Sequence, residues 1–314
     1  MNVFPQVRRG VDPRIVRARG ATRSRLIGSR VGPYIFVAPF ILAFLVLLAI
    51  PVLYSLVLSF QRYRGYDTTR WIGFTNYRRF LSYHQFWSSW VNTGIYWIGG
   101  AVVTLSLAFL LAVLVHQGAI KGKRIYKPVI FLPNVMASVA AALIFQSLFA
   151  PQSGVINALI GKQLAWNQDE FLGKLAVIAL RAWHGTGWFF IVFLAGLTTI
   201  NPELYDAARV DGARAWQSLR HITLPLMRPT FLFAVVTFTI SSLRLFAEPN
   251  LLFSGGTAPP QFQPIMNQLY LNLQSGEFGA AAAVAWLIFI PIVIVAAIQF
   301  RLLRGSDRAE GGKS

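Results

Sequence analysis

The sequence contains no cysteine, which excludes a disulfide framework, a thiolate metal site and a cysteine nucleophile. Acidic residues are scarce: 11 Asp and Glu stand against 29 Lys and Arg. The long apolar stretches contain no carboxylate, and His184 is their only histidine; His84, His116 and His221 lie in the segments between them or at their ends. Paired carboxylates, a His/Asp/Glu metal set or a serine with its base are therefore missing there, and no catalytic or metal-binding residue is expected. The phosphate cradle G-x-x-x-x-G-K-[ST] is also missing, since Gly161-Lys162-Gln163 lacks both the first glycine and the hydroxyl. No nucleotide hydrolysis and no cofactor is expected in this chain itself.

What is present is apolar. Of 314 residues, 55% are hydrophobic, and the mean hydropathy is +0.53, well above what one buried core requires. Six stretches (34–60, 90–115, 128–150, 175–200, 229–247 and 278–300) hold only two charges, Arg181 and Arg244. Each is near or above the roughly 20 residues that carry a helix across a bilayer. The runs are continuous and not alternating, which excludes a β-barrel, and backbone groups in lipid must pair within their own segment. The expectation is an all-α integral membrane protein with six transmembrane helices. The first stretch is too long for a cleaved signal peptide and reads as a retained anchor.

Basic residues set the orientation. With the N-terminus inside, the segments 1–33, 116–127, 201–228 and 301–314 carry 20 Lys and Arg, against 7 in the segments facing outward. Both termini are expected in the cytoplasm. The net charge of +18 lies largely beside apolar spans, where the partner is membrane lipid and not nucleic acid. Segment 61–89 dissents with five arginines, read as reaching headgroups from interfacial segments. The domain reading is an Arg-rich cytoplasmic tail 1–33, a six-span transmembrane domain 34–304 and a short tail 305–314. A solitary ion-coupled carrier keeps an acidic residue in its bundle; without one, energy must come from a partner.

Residues 201–229 read NPELYDAARVDGARAWQSLRHITLPLMRP. Asn201 suits a helix N-cap, Pro202 the first helical position and Glu203 the positive helix end. Alanines 207, 208, 213 and 215 offer a small packing surface, Gly212 divides the helix, and Pro225 and Pro229 are expected to stop it. The segment resembles the E-A-A-x3-G-x9-I-x-L-P signature of importer-type ABC transporter permeases, through Asp206-Ala207-Ala208, Gly212, Ile222, Leu224 and Pro225. Asp206 in place of Glu is the one departure. More of the chain is similar to the first of the two permease subunits of the carbohydrate branch, of the maltose and glycerol-phosphate type. The shared features include Trp71 through Tyr77, Leu132-Pro133 with Ser138, Gly154 through Asn157, Leu194 through Leu197, Phe246 through Pro249, and Gly255-Gly256.

The resemblance implies a second six-span permease subunit, an ATP-binding-cassette ATPase dimer holding ATP and Mg, and an extracytoplasmic solute-binding protein. It implies a carbohydrate substrate and a multi-pass location in the bacterial plasma membrane. The ATPase-coupling residues it implies are Asp206, Ala207, Ala208, Asp211, Gly212, Ile222, Leu224 and Pro225, with Asp206 pairing to a basic group on the ATPase. Sugar-contacting positions carry over to Arg181, His184, Gly185 and Trp188 of the fourth span and to Phe238, Ser241 and Leu245 of the fifth. Trp183 and Thr186 complete a polar, aromatic patch suited to sugar faces and hydroxyls. Gly185 and Gly187 are read as loosening this helix. The alternatives stay open at this point: the tryptophans as packing residues, Arg181 at the headgroups, and Arg244 paired with Glu248 four residues on. Two intramembrane arginines also admit an anionic sugar derivative, such as a sugar acid or phosphorylated polyol. An autonomous channel or carrier is the remaining competitor.

Overall fold

The computed structural model describes residues 32–66, 69–117, 123–254 and 256–310, so tail residues 1–31 and Gly255 lie outside the described residues. These fall into two compact units, one ending at Val57 and the other beginning at Leu58. In the first, helix α1 (Gly32–Phe44) passes through a wide π turn (Leu45–Ala49) into α2 (Ile50–Ser59). None of residues 34–57 is buried. An apolar helix with every face exposed requires an apolar surrounding.

The second unit opens with a two-residue antiparallel pair, β1 (Gln61–Arg62) and β2 (Arg70–Trp71), followed by α3 (Thr75–Leu81). Asn76 of α3 donates to the Ser59 and Gln61 carbonyls at 2.9 and 3.1 Å, which fixes α3 against the end of α2. The long helices α4 (His84–His116) and α8 (Glu170–Thr198) pack along one another. Between them in sequence lie α5 (Lys123–Val135), α6 (Ser138–Leu148) and α7 (Val155–Ile160). After α8 come α9 (Pro202–Val210), α10 (Ala215–Ser218), a π turn (Leu219–Thr223), α11 (Leu224–Leu226) and α12 (Arg228–Leu243). The chain ends with α13 (Ala247–Ser254), α14 (Ile265–Gln274) and α15 (Phe278–Glu310).

Three apolar clusters hold these helices together. One joins α4, α8 and α12 around Phe190, Phe193 and Phe238; another joins α4, α6, α8 and α13 around Tyr96, Leu180 and Leu252. The last joins α3, α4, α14 and α15 around Phe80, Phe86 and Val284. Asp169 caps α8 by accepting from the Leu172 amide at 2.8 Å.

Among the described residues, four helices are long and apolar enough to cross a bilayer, and up to six if two bent pairs each count as one span. One bend falls inside the span expected at 128–150 and the other just before the span expected at 229–247. α5 and α6 meet at 95°; the break follows Pro133, whose missing amide weakens the helix just before it. The 66° bend lies between the segment 215–226 and α12. α12 alone has 16 residues and ends at Leu243, short of the expected 247. Pro225 does not end a helix: it sits in the first turn of α11, behind the π turn. The carbonyl that its ring would strike, at His221, lies in that widened turn. α15 runs through the boundary at 304 to Glu310.

Two further features fix the unit. Buried amides and hydroxyls stitch the segment between α12 and α15 to α4. Asn92 donates to the Gln261 and Gln263 carbonyls at 3.0 and 3.1 Å, and Tyr96 to the Phe262 carbonyl at 3.0 Å. The Ile265 amide donates to Thr93 at 2.8 Å. The Asn250 and Asn267 side chains exchange hydrogen bonds at 3.0 and 2.7 Å. Glu277 accepts from Arg64 at 2.8 Å and Arg79 at 2.7 Å, so two of the five arginines expected at headgroups are paired within the chain.

The hydrogen bonds from Arg79 and Arg64 hold the Glu277 carboxyl below its ordinary value of 4.5. A lowered carboxylate pKa stabilises the fold above the ordinary value, and that contribution is lost as pH falls through the lowered one. Protection of segment 61–81 in hydrogen exchange should therefore fall below about pH 4.5. Glu277→Gln should remove that dependence at a cost of about 1 kcal/mol, a partly exposed pair being screened. Close approach gives a second expectation. A Cβ on Gly279 would lie 2.1 Å from the Gln61 carbonyl oxygen, and one on Gly173 would lie 2.3 Å from the Phe262 ring. Gly279→Ala and Gly173→Ala should each destabilise by about 2–4 kcal/mol in thermal unfolding. Gly94→Ala, which meets nothing within 4 Å, should be neutral or stabilising by up to about 1 kcal/mol.

Candidate functional site

Arg181, His184, Gly185 and Trp188 recur along α8 at the spacing that shares one helix face. They line a cavity of about 270 Å³ together with Phe238 and Ser241 of α12. Six of the eight proposed pathway residues thus meet. The other two do not: Trp183 packs its ring 5.4 Å from that of Phe145, and Leu245 is buried in the cluster formed by α4, α6, α8 and α13. The cavity also takes in Asn134, Thr237 and Glu248, which the sequence reading did not assign to it.

Arg181 is only 8% exposed. Its Nη2 donates to Ser242 Oγ at 3.1 Å and more weakly to Ser241 Oγ at 3.5 Å, and its guanidinium lies 5.2 Å from the Phe238 ring centre. Its Nη1 is buried with no hydrogen-bond partner. A buried guanidinium N–H without an acceptor is costly unless a ligand supplies one. His184 Nε2 lies 3.1 Å from the Met136 carbonyl; a carbonyl only accepts, so this nitrogen carries the proton and Nδ1 is left as an acceptor. Asn134 returns a long hydrogen bond of 3.4 Å to the His184 carbonyl. These two contacts hold the bend between α5 and α6 against α8. Trp188 is 45% exposed and presents an aromatic face.

Several expectations are corrected by the geometry. α8 is continuous through Gly185 and Gly187, so these glycines do not loosen it. A Cβ on Gly187 would lie 2.6 Å from the Ile130 carbonyl, which makes it a point of close approach between α5 and α8. Thr186 turns back to the Ala182 carbonyl of its own helix. Arg244 and Glu248 form no ion pair among the described residues, because α12 ends at Leu243 and the helical four-residue spacing is not realised. Glu248 had a sequence signal only in being one of the few acids next to a span.

The segment 201–229 builds a second feature. Asn201 caps α9 by accepting from the Glu203 amide at 3.0 Å, with Pro202 at its start. Gly212 takes φ +77° between α9 and α10, and nothing lies within 4 Å of where its Cβ would be. Ala207, Asp211 and Gly212 are exposed and Ala208 is half-buried, while Val210 and Trp216 are 88% and 65% exposed. Ile222 packs on the cluster of α4, α8 and α12, Leu224 and Pro225 are half-buried, and Tyr205 shares a hydrogen bond of 2.9 Å with Thr223. Asp206 pairs with Arg209 on its own helix. A cavity of about 390 Å³ lies between α9 and the end of α4, lined by Tyr205, Asp206, Arg209 and His116. No group of three or more His, Asp or Glu placed to hold a metal occurs among the described residues.

Comparison with known proteins bears on both features. Residues 108–305 match the family described as "Binding-protein-dependent transport system inner membrane component". The lactose transport system permease protein LacF of Rhizobium radiobacter is 31% identical over 229 residues, covering 70% of this chain and 76% of that protein. The arabinooligosaccharides transport system permease protein AraP of Bacillus subtilis (strain 168) is 29% identical over 232 residues, covering 72% and 74%. In a solved bacterial ABC transporter involved in the import of the acidic polysaccharide alginate, one chain superposes with a TM-score of 0.74 at 24% identity, over 86% of this chain and 94% of that one. At that identity the likeness is one of fold. With a family match over most of its length and a relative at 31% identity, the chain belongs to the inner membrane components of binding-protein-dependent transport systems, the permease subunits of ABC importers.

Proposed function

We propose that this chain forms half of the pathway of an ATP-driven carbohydrate importer in a bacterial plasma membrane. The observation that carries the reading is the cavity beside α8, where an unpartnered buried guanidinium N–H, a half-exposed tryptophan and a serine hydroxyl converge. Aromatic faces suit sugar C–H surfaces, and the polar groups suit hydroxyls. Relatives named for lactose and arabinooligosaccharide transport support the substrate class.

In this reading the two bent pairs each count as one span, giving six, and the 20-to-7 basic bias keeps both termini in the cytoplasm. The partners are a second six-span permease subunit, an ATPase dimer that binds ATP and Mg, and an extracytoplasmic solute-binding protein. This chain carries no cofactor of its own. The segment 201–228 is the coupling loop. Its exposed Ala207, Val210, Gly212 and Trp216 form a small apolar surface, and movement of a docked ATPase would pass through α9 to the helices that line the cavity. Ile222 and the Tyr205–Thr223 hydrogen bond tie that surface to α4 and α8.

Gly212 offers a test because a Cβ there has nothing within 4 Å among the described residues, and aspartate, though strained at this φ, tolerates left-handed backbone better than most residues. Detergent co-purification from the native host should recover a second six-span protein and an ATPase with the wild type. Gly212→Asp should insert normally and lose the ATPase by at least tenfold. Recovery of the wild-type chain alone, or only as a homo-oligomer, would favour an autonomous carrier.

A further inference from the structure

The cavity beside α8 is lined by one cation and one anion, Arg181 from α8 and Glu248 from α13. They form no ion pair among the described residues. The guanidinium keeps Nη1 buried and unpartnered. A donor and an acceptor therefore line the same space of about 270 Å³ without pairing to one another among the described residues. The remaining polar groups on the wall, Asn134, Thr237, Ser241 and His184, carry no formal charge when the imidazole is neutral.

The chemistry of a bound solute follows from that balance. Arg181 alone would attract a carboxylate through charge-assisted hydrogen bonds. With Glu248 also lining the cavity, an entering carboxylate meets repulsion that offsets the attraction of Arg181, so less of its desolvation is compensated. A hydroxyl both donates and accepts, so a neutral diol can accept from Arg181 and donate to Glu248 at once. We infer that Arg181 and Glu248 form a charge-balanced donor–acceptor pair that selects uncharged, hydroxyl-rich saccharides, with Glu248 the residue that discriminates against anionic ones. This rests on the carbohydrate reading and narrows it, against the anionic alternative that the arginines admit by themselves. Specificity of this kind is set by a repulsive element as much as by an attractive one.

The test is equilibrium binding to the purified assembled transporter with the solute-binding protein omitted, so that upstream selection plays no part. Lactose, maltose and arabinobiose serve as neutral probes and digalacturonate as the anionic one. The wild type should bind its best neutral disaccharide at least tenfold more tightly than digalacturonate. Glu248→Gln should shift that ratio at least tenfold toward digalacturonate, while Glu248→Asp, which keeps the charge, should retain the wild-type preference. An unchanged ratio in Glu248→Gln, or wild-type preference for digalacturonate, overturns the inference and leaves the carbohydrate reading standing. Binding of none of the four overturns both. Should Glu248→Gln fail to assemble, loss of the preference in Glu248→Asp overturns the inference, and its retention supports it.

Discussion

The larger unit is organised around how closely other segments approach the backbone of α8. At Gly187 the Ile130 carbonyl of α5 comes to where a methyl group would otherwise stand, and at Gly173 the Phe262 ring does the same. Without a hydrophobic driving force between helices in lipid, such contacts are a main source of association. They also locate the cavity. One turn from Gly187, His184 holds the Met136 carbonyl at the bend between α5 and α6, and the next turn brings Arg181 over Phe238. The site is the space left where α8 is not closely packed.

Prolines shape the rest of the path. Ala49 ends one π turn two residues before Pro51, and Thr223 ends another two residues before Pro225. In each case the carbonyl that the ring would strike, at Leu47 or His221, lies inside the widened turn. The strain is absorbed locally and the helical path continues. Such a turn at 219–223 lies between the exposed surface of α9 and α10 and the helix α12 that lines the cavity.

Much of this was legible in the sequence, and the remainder fails for identifiable reasons. Continuous apolar runs revealed the helices, Asn201-Pro202 marked the start of α9, and the family resemblance pointed to Arg181, His184, Gly185 and Trp188, whose spacing sets them on one face of α8. The bend within 128–150 was not legible because apolar content says nothing about the direction a helix takes. Leu245, named by the resemblance, and Trp183, named by its place in the aromatic patch, do not line the cavity, since facing depends on where α12 ends and how α8 is rotated. Glu277 pairs with arginines 198 and 213 residues away, and Glu248 reaches the cavity only because the chain turns between α12 and α13. Contacts of that range have no local signature.

The stitching of the segment between α12 and α15 is made by asparagine, glutamine, threonine and tyrosine side chains against backbone groups and one another. Neutral amides neither gain nor lose protons in the range a bacterium meets, and salt does not screen them as it screens exposed charges. In the proposed orientation this crossing faces the medium, where ionic strength and acidity vary beyond the cell's control. Those contacts keep their geometry as acidity and ionic strength change, whereas the Glu277 pairing with Arg64 and Arg79 at the end of the same segment responds to both.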